Sequence, residues 1–419
     1  MTSKLFTRFN LLVVLALGGL LTAITILLGA TVPVQANPNT LYVTPDGDCG
    51  GASPCYTTIQ AAVDAANSGD VIKVATGIYT SVNTQINKTL TIQGGYTTTN
   101  WTVPYPITQP TTLDAQGQGR VLFISGGGPW ITPTIEGLRI TGGSRPGMLE
   151  YGGGVYIESA EATFNTCQIF SNTAWFGGGL GGRYSSVTLN SSTVVSNAAK
   201  FGGGLLLDTD SDATLNGNIV SFNKATSNGG GVFLGNADAT LCNTIIADNQ
   251  ANVKGGGLHV ADSTVRLLHT TFARNMVISD SAGSGILVER YSVRTRVWMT
   301  NTILVSHTVG ISVTTGATAT LESTLWGRGA WANGVDWGGF GDLITGTHNY
   351  WDDPAFVNPD DGNYHISANS AAIDKGVNAG VVTDIDGQAR PFGTAPDLGA
   401  DEYEYTWPYQ LYLPLVLRN

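Results

Sequence analysis

One word returns through the middle of this chain: three consecutive glycines followed by an aliphatic residue. The third glycine of each copy falls at Gly154, Gly179, Gly204, Gly231 and Gly257, with reduced copies at Gly285 and Gly310. The steps between them are 25, 25, 27, 26, 28 and 25 residues. Asn172, Asn197, Asn223, Asn249 and Asn275 keep the same time, with His307 in the next slot. A unit this short cannot bury an apolar face alone. It does so only against a neighbouring copy of itself, which restricts the chain to stacked-repeat folds.

The residues between the markers say what is stacked. Three places before each Asn stand Ile169, Val194, Val220, Ile246 and Phe272, and Leu304 stands three before His307. Eight before stand Phe164, Leu189, Leu215, Leu241, Leu267 and Met299; ten before stand Ala162, Val187, Ala213, Ala239, Val265 and Val297. The gap of two is strand alternation. It recurs after the glycines at Val155 and Ile157, Leu205 and Leu207, Val232 and Leu234, and Leu258 and Val260. Each repeat therefore holds two or three short strands separated by Gly and Asn turns. The fold class expected is all-β, a parallel β-helix in which each repeat is one coil. The glycines are expected to give a corner its backbone freedom. The Asn is expected to take the left-handed turn conformation and to bond to the Asn of the next coil. Thr163, Thr188, Thr214 and Thr240 share an outward register, as do Asn165, Asn190 and Asn216.

Composition agrees. Glycine, at 55 of 419 residues, is about twice its average usage, and charged residues are 12% against about a quarter. Lys4 and Arg8 precede an apolar run from Leu11 to Ala30, and Val34-Gln35-Ala36 offers a small-residue cleavage site. Residues 1–36 read as a signal peptide, with a membrane anchor as the alternative for so long a run. Without its two basic residues the formal charge moves from −11 to −13. Such a surface argues against nucleic acid as a partner. In an exported chain, Cys49 and Cys55, in "CGGASPC", are placed to close a short disulfide loop. Cys167 and Cys242 lie three turns apart, roughly 14 Å at the spacing of β-strands, and are expected to be free.

The ends of a solenoid need covers. "TTIQAAVDAANSGD" (Thr57 to Asp70) reads as a short helix capped by Thr57 or Thr58, with Ile59, Ala62, Val63 and Ala66 on one face. "VIKVATGIYT" follows as the first alternating strand. This opening, with "LTIQGGY", resembles right-handed parallel β-helix proteins of the pectate-lyase-like superfamily. The glycine and hydrophobic-x-x-Asn repeat is similar to polymorphic outer-membrane protein repeats. "DPAFVNPDDGNYHISANSAAIDKG" and "TDIDGQARPFGTAPDLGADEY" resemble the closing region of surface proteins with a choice-of-anchor Q domain. Together the likenesses span most of Leu41 to Tyr403. They imply a right-handed β-helix over 37–380 with clear repeats at 152–334, a C-terminal cap over 381–405, and a tail at 406–419 that is a sorting signal or a final packed strand.

Enzymes of the resembled superfamily cut acidic polysaccharides with Ca²⁺ and a basic residue, or with converging carboxylates. Their catalytic residues transfer to no position here. Glu158, Arg183 and Asp208 fall four places beyond the third glycine on successive coils, an acid–base–acid row that reads first as a surface ion-pair ladder. Tyr156, Leu206, Phe233 and His259 form a neighbouring row, expected to project outward as an apolar binding stripe unless "GGSRPGMLEYGG" or "MVISDSAGSG" covers it. Asp208, Asp210 and Asp212 in "DTDSD" are weak Ca²⁺ candidates, and "TDIDGQ" (Thr383 to Gln388) is similar; no other cofactor is expected. The leading expectation is an exported, cell-surface, non-catalytic β-helix with a glycan-binding or adhesive face and a polysaccharide or cell-surface partner. The alternatives are a polysaccharide lyase or glycoside hydrolase, and a structural envelope repeat. Membrane association is expected only through the N-terminal segment or the tail.

Overall fold

The structure is a computed structural model that describes residues 38–80, 82–128, 130–278 and 283–404. The signal segment and the tail from 406 lie outside those residues. No helix among the described residues is long and apolar enough to cross a membrane.

The coil containing Asn197 shows how a repeat folds. Strands Leu180–Arg183, Ser186–Asn190, Thr193–Val195 and Ala198–Phe201 follow one another. Each pairs in parallel with its counterpart in the next coil, as Leu180↔Leu205, Val187↔Ala213, Val194↔Val220 and Ala198↔Lys224. A single left-handed residue makes each corner: Tyr184 (φ 49°), Ser191 (47°), Ser196 (57°) and Gly202 (62°). The first three strands enclose the core, and the fourth belongs to a separate outer sheet of six short strands. Inside, Ile72, Ile92, Ile135, Phe164, Leu189, Leu215, Leu241, Leu267, Met299 and Leu321 form one buried column. Each contributes roughly 1.5–3 kcal/mol by leaving water.

The turn chemistry differs from the sequence expectation in one respect. The left-handed residue is the one before each Asn (Ser171, Ser196, Phe222, Asp248 and Arg274), not the Asn. The Asn side chains instead point inward and form the axial ladder. Both the backbone N–H and Nδ2 of Asn197 donate to Asn223 Oδ1, at 2.9 and 3.1 Å, and Nδ2 also donates to Ile169 O at 2.9 Å. The same contacts join Asn172 to Asn197, Asn223 to Asn249, and Asn249 to Asn275. His307 ends the run by accepting from Asn275 Nδ2 through Nε2 (3.2 Å) and donating through Nδ1 to Asn333 Oδ1 (3.2 Å). The glycines divide their work. Gly202 turns the corner, while a Cβ on Gly204 would stand 2.7 Å from Gly231 O and 2.9 Å from Asn223 Nδ2. The third glycine is there because the Asn ladder leaves it no room.

The helix Ile59–Ala65 has Thr58 as its cap, the Thr58 side chain accepting from Ala61 N. Ile59, Ala62 and Val63 are buried in the cluster that holds Leu41, Val43 and Ile72, so the helix closes the apolar opening of the first coil. The other end is not closed in this way. The parallel ladder finishes at Asn349–Tyr350, short of the expected residue 380. The chain then makes an antiparallel hairpin, Phe356–Asn358 with Asn363–Ile366. Onward to Glu404 it lies along a flank of the later coils. There Tyr364, Ile366, Ala372, Leu398 and Ala400 pack on Ile245, Ala247, Ala273, Ile303, Val305 and Leu325. The C-terminal region is a side cover and not an end cap, because these outward-facing coil residues are apolar and need one. On the last coil Trp337, Ile344 and Phe340 stay 42%, 54% and 93% exposed.

Candidate functional site

The row of Tyr156, Leu206 and His259 does not form an open stripe. These three are buried, and Phe233 is half-buried. Their cover is the aromatic residue just before three of the glycine triplets, Tyr151, Phe176 and Phe201, while Asn228 and Lys254 hold that place before the other two. Tyr151 stacks on Tyr156 (ring centroids 5.4 Å), on whose other neighbour, Phe123, the spacing is also 5.4 Å. Contacts continue through Phe176 and Phe201 to Phe233, whose ring meets His259 edge-on at 4.8 Å. The guanidinium of Arg120 lies 4.7 Å from the Tyr156 ring. The recurrent Tyr or Phe ahead of Gly-Gly-Gly is the signal for this lid.

Glu158, Arg183 and Asp208 stack in register as the spacing implied. They do not pair. Arg183 forms no ion pair with either acid among the described contacts, and Asp208 accepts from the Tyr151 hydroxyl at 2.7 Å and from Thr209. Burial raises the Asp208 pKa above the usual carboxylate range. The Ca²⁺ candidates do not converge. Thr209 and Asp210 have positive φ at an irregularity between Asp208 and Ser211, so Asp210 turns to Asn236 Nδ2 (2.8 Å), while Asp212 is exposed on the next face.

Three coils beyond Asp208 the same row reaches Glu289, a centre that sequence reasoning missed. Its carboxylate accepts from Lys254 Nζ (2.7 Å), His259 Nε2 (3.0 Å) and Tyr291 Oη (2.6 Å). Burial opposes ionisation, but these three partners hold Glu289 near a pKa of about 2. Burial lowers the pKa of His259. A neutral ring giving its Nε2 proton to Glu289 leaves Nδ1 without a partner, as found. With every oxygen engaged and His259 fully covered, this group is built to hold the lid down. Cys49 and Cys55 are joined in a disulfide, and Cys167 and Cys242 are free.

The accessible polar surface is the outward face of the second strand of each coil. Thr163, Thr188, Thr214, Thr240, Arg266, Trp298 and Thr320 follow one another in register. A parallel row runs Glu161, Ser186, Asp212, Asp238, Thr264 and Arg296. On the other side Asn190 Nδ2 donates to Asn165 Oδ1 (2.9 Å), and Asn165 Nδ2 to Glu136 Oε1 (3.1 Å). Between the first two rows lies a shallow cleft of about 270 Å³ lined by Asp212, Thr214, Asp238, Thr240, Thr264 and Arg266. Asp238 is fixed by accepting from Thr264 N at 2.8 Å. The Arg266 guanidinium, which lines the cleft, lies 5.4 Å from the ring of Trp298, its neighbour on the next coil. The Thr ladder was visible in the sequence. Its interruption by Arg266 and Trp298 was not, although both stand in the same slot, nine before Asn275 and His307.

A family model described as "Right handed beta helix region" matches residues 111–275. Among solved structures, the crystal structure of pectate lyase Pel9A is similar at 15% identity, covering 88% of this chain and 97% of that one, with a TM-score of 0.48. No curated protein matches. The matched segment holds all five full glycine triplets and all five Asn markers, and the strand pairing continues on both sides of it. The fold is a right-handed parallel β-helix.

Proposed function

We propose that this protein is exported and presents a carbohydrate-binding or adhesive face at or beyond the cell surface, without turning its ligand over. One observation carries the reading: the cleft of Asp212, Asp238 and Arg266, with Trp298 beside Arg266 on the next coil, set in a ladder of Thr hydroxyls. Sugars offer vicinal hydroxyls to carboxylates and guanidinium groups and an apolar ring face to an indole. A shallow open cleft with a few placed polar groups suits a chain passing across it. The Tyr156 row is withdrawn as the binding surface because its own lid covers it. Export is supported by the basic start and apolar run of residues 4–30 and by a disulfide in so short a loop.

A second reading has its own observation. Asp212 and Asp238 stand on adjacent coils in direct register, and two neighbouring carboxylates are what a glycoside hydrolase needs. One experiment separates the two. The chain is incubated with pectic, alginate and neutral polysaccharides, with and without Ca²⁺, while unsaturated uronide absorbance and new reducing ends are recorded. Retardation in gels containing the same polymers is then measured. Retardation without new ends is the expected result; new ends or uronide absorbance would give the protein to the second reading.

A further inference from the structure

The acidic turn Thr383–Gln388 does not stand alone in the fold. Among the described residues, one trio of His, Cys, Asp or Glu side chains brings its ligand atoms together, and it uses this turn: His365, Asp386 and Asp401, with those atoms all within 4.8 Å of one another. His365 sits on the hairpin strand Asn363–Ile366, and Asp401 lies near the end of the described chain. Three stretches far apart in sequence are therefore joined at one point.

The hydrogen bonds around the ring fix its chemistry. The backbone N–H of His365 donates to Asn363 Oδ1 at 3.1 Å, so that atom is the amide oxygen. The same oxygen lies 2.6 Å from His365 Nδ1, which must therefore carry the proton. In a neutral ring, Nε2 then presents a lone pair, and it presents it to Asp386 Oδ2 at 2.8 Å. Two acceptors face each other at that distance only if something positive lies with them. The carboxylates are held in place from outside. Asp401 is buried and accepts from Ile366 N at 2.7 Å. The turn bearing Asp386 is shaped by Asp384, which accepts from Asp386 N (3.0 Å), Gln388 N (2.8 Å) and Glu402 N (3.1 Å).

We propose that His365 Nε2, Asp386 and Asp401 bind a divalent transition cation of the Zn²⁺ type, which fastens the C-terminal segment to the hairpin. One imidazole and two carboxylates suit such an ion, whereas Ca²⁺ takes six to eight oxygens. Ligand atoms around tetrahedral Zn²⁺ are about 3.3 Å apart given bonds near 2.0–2.1 Å, so His365 Nε2 and Asp386 Oδ2, 2.8 Å apart, must part slightly and separations as wide as 4.8 Å must close. A metal-bound imidazole gives its other N–H to an outer oxygen, the role Asn363 fills. The remaining position is open to water.

The test uses the untagged full chain, with equilibrium dialysis against Zn²⁺ and visible spectroscopy of Co²⁺ as the probe. About one ion per chain is expected, with Co²⁺ ligand-field bands of mixed nitrogen and oxygen donors. His365→Gln and Asp386→Asn should each lose that binding by tenfold or more while the metal-free melting temperature stays put, since both side chains are partly exposed. Asn363→Ala, which touches no metal, should weaken binding about 10–100-fold. Absence of binding below about 1 mM, or binding that both His365→Gln and Asp386→Asn leave unchanged, overturns the site. His365 would then be an imidazolium in a simple ion pair with Asp386.

Discussion

The Asn ladder and the cluster around Arg390 both bury polar groups, by opposite means. In the ladder each residue is satisfied by its own copy one coil away, so the same four contacts recur from Asn172 to Asn275. Beneath the C-terminal segment no contact recurs. Arg390, fully covered, pairs with Glu402 at 3.0 Å and donates to Asp397 O and Ala400 O. Asn301 exchanges two hydrogen bonds with Val377, and Arg274 joins Asp248 to Asp360. A periodic solution spreads its strain and its stability along the rod. An aperiodic one concentrates both, so the two regions should fail differently.

The largest effect is expected in the ladder. Asn223→Ala strands Asn197 N and one hydrogen of Asn197 Nδ2 and takes a donor from Val194 O, each a buried group worth about 1–3 kcal/mol when unpaired, while Asn249 Oδ1 keeps the bond from the backbone N–H of residue 223. A loss on the order of 5 kcal/mol should lower the denaturation midpoint of the whole coil stack. Arg390→Met should cost about 3–5 kcal/mol by leaving Glu402 buried without a counter-charge, held only by the N–H groups of Phe392 and Asp397, but locally. Hydrogen exchange should accelerate across 351–404 while amides of the Asn ladder keep their protection; uniform acceleration would mean the two regions unfold as one.

Acid comes next. Burial lowers the pKa of His307 from 6.5 to about 3, and burial with Arg390 does the same to His269. Between those values the unfolded chain takes up protons that the native rings refuse. Their contribution is therefore present above about pH 6.5 and is lost as pH falls towards 3, at roughly 1.4 kcal/mol per unit for each ring. His307→Asn, which extends the ladder with its usual residue, should flatten the fall in melting temperature over that window. The smallest effect belongs to the open end coil: Phe340→Ser should move stability by no more than about 0.5 kcal/mol, as calorimetry can show.

The ladder and the core column are legible in the sequence because a repeated environment demands a repeated residue. Gly204 and Asn223 can be read together because neither has a choice. The Tyr156 row is misread from the same pattern: alternation places it outward but does not reveal that Tyr151, Phe176 and Phe201 return over it. The flank shows faintly. Four places before the marker, Gln168 and Thr193 give way to Ile219, Ile245, Thr271 and Ile303, a row that turns mostly apolar where the C-terminal segment lies, with the Thr271 hydroxyl accepting from Ala400 N. What that segment does there depends on single contacts such as Arg390 with Glu402, and no periodicity announces those. The binding cleft is legible as Thr ladder and obscure as chemistry, because Arg266 and Trp298 interrupt the pattern just where it matters.

The central claim is that the Thr-laddered face, and no other, holds the ligand. It is tested most directly by retardation of the full chain in polysaccharide gels with Arg266→Ala and Trp298→Ala beside Phe340→Ser. Retardation abolished or weakened at least tenfold in the first two and kept in the third is the predicted result. Retardation that survives both substitutions, or that is lost with Phe340, would place the binding elsewhere and contradict the claim.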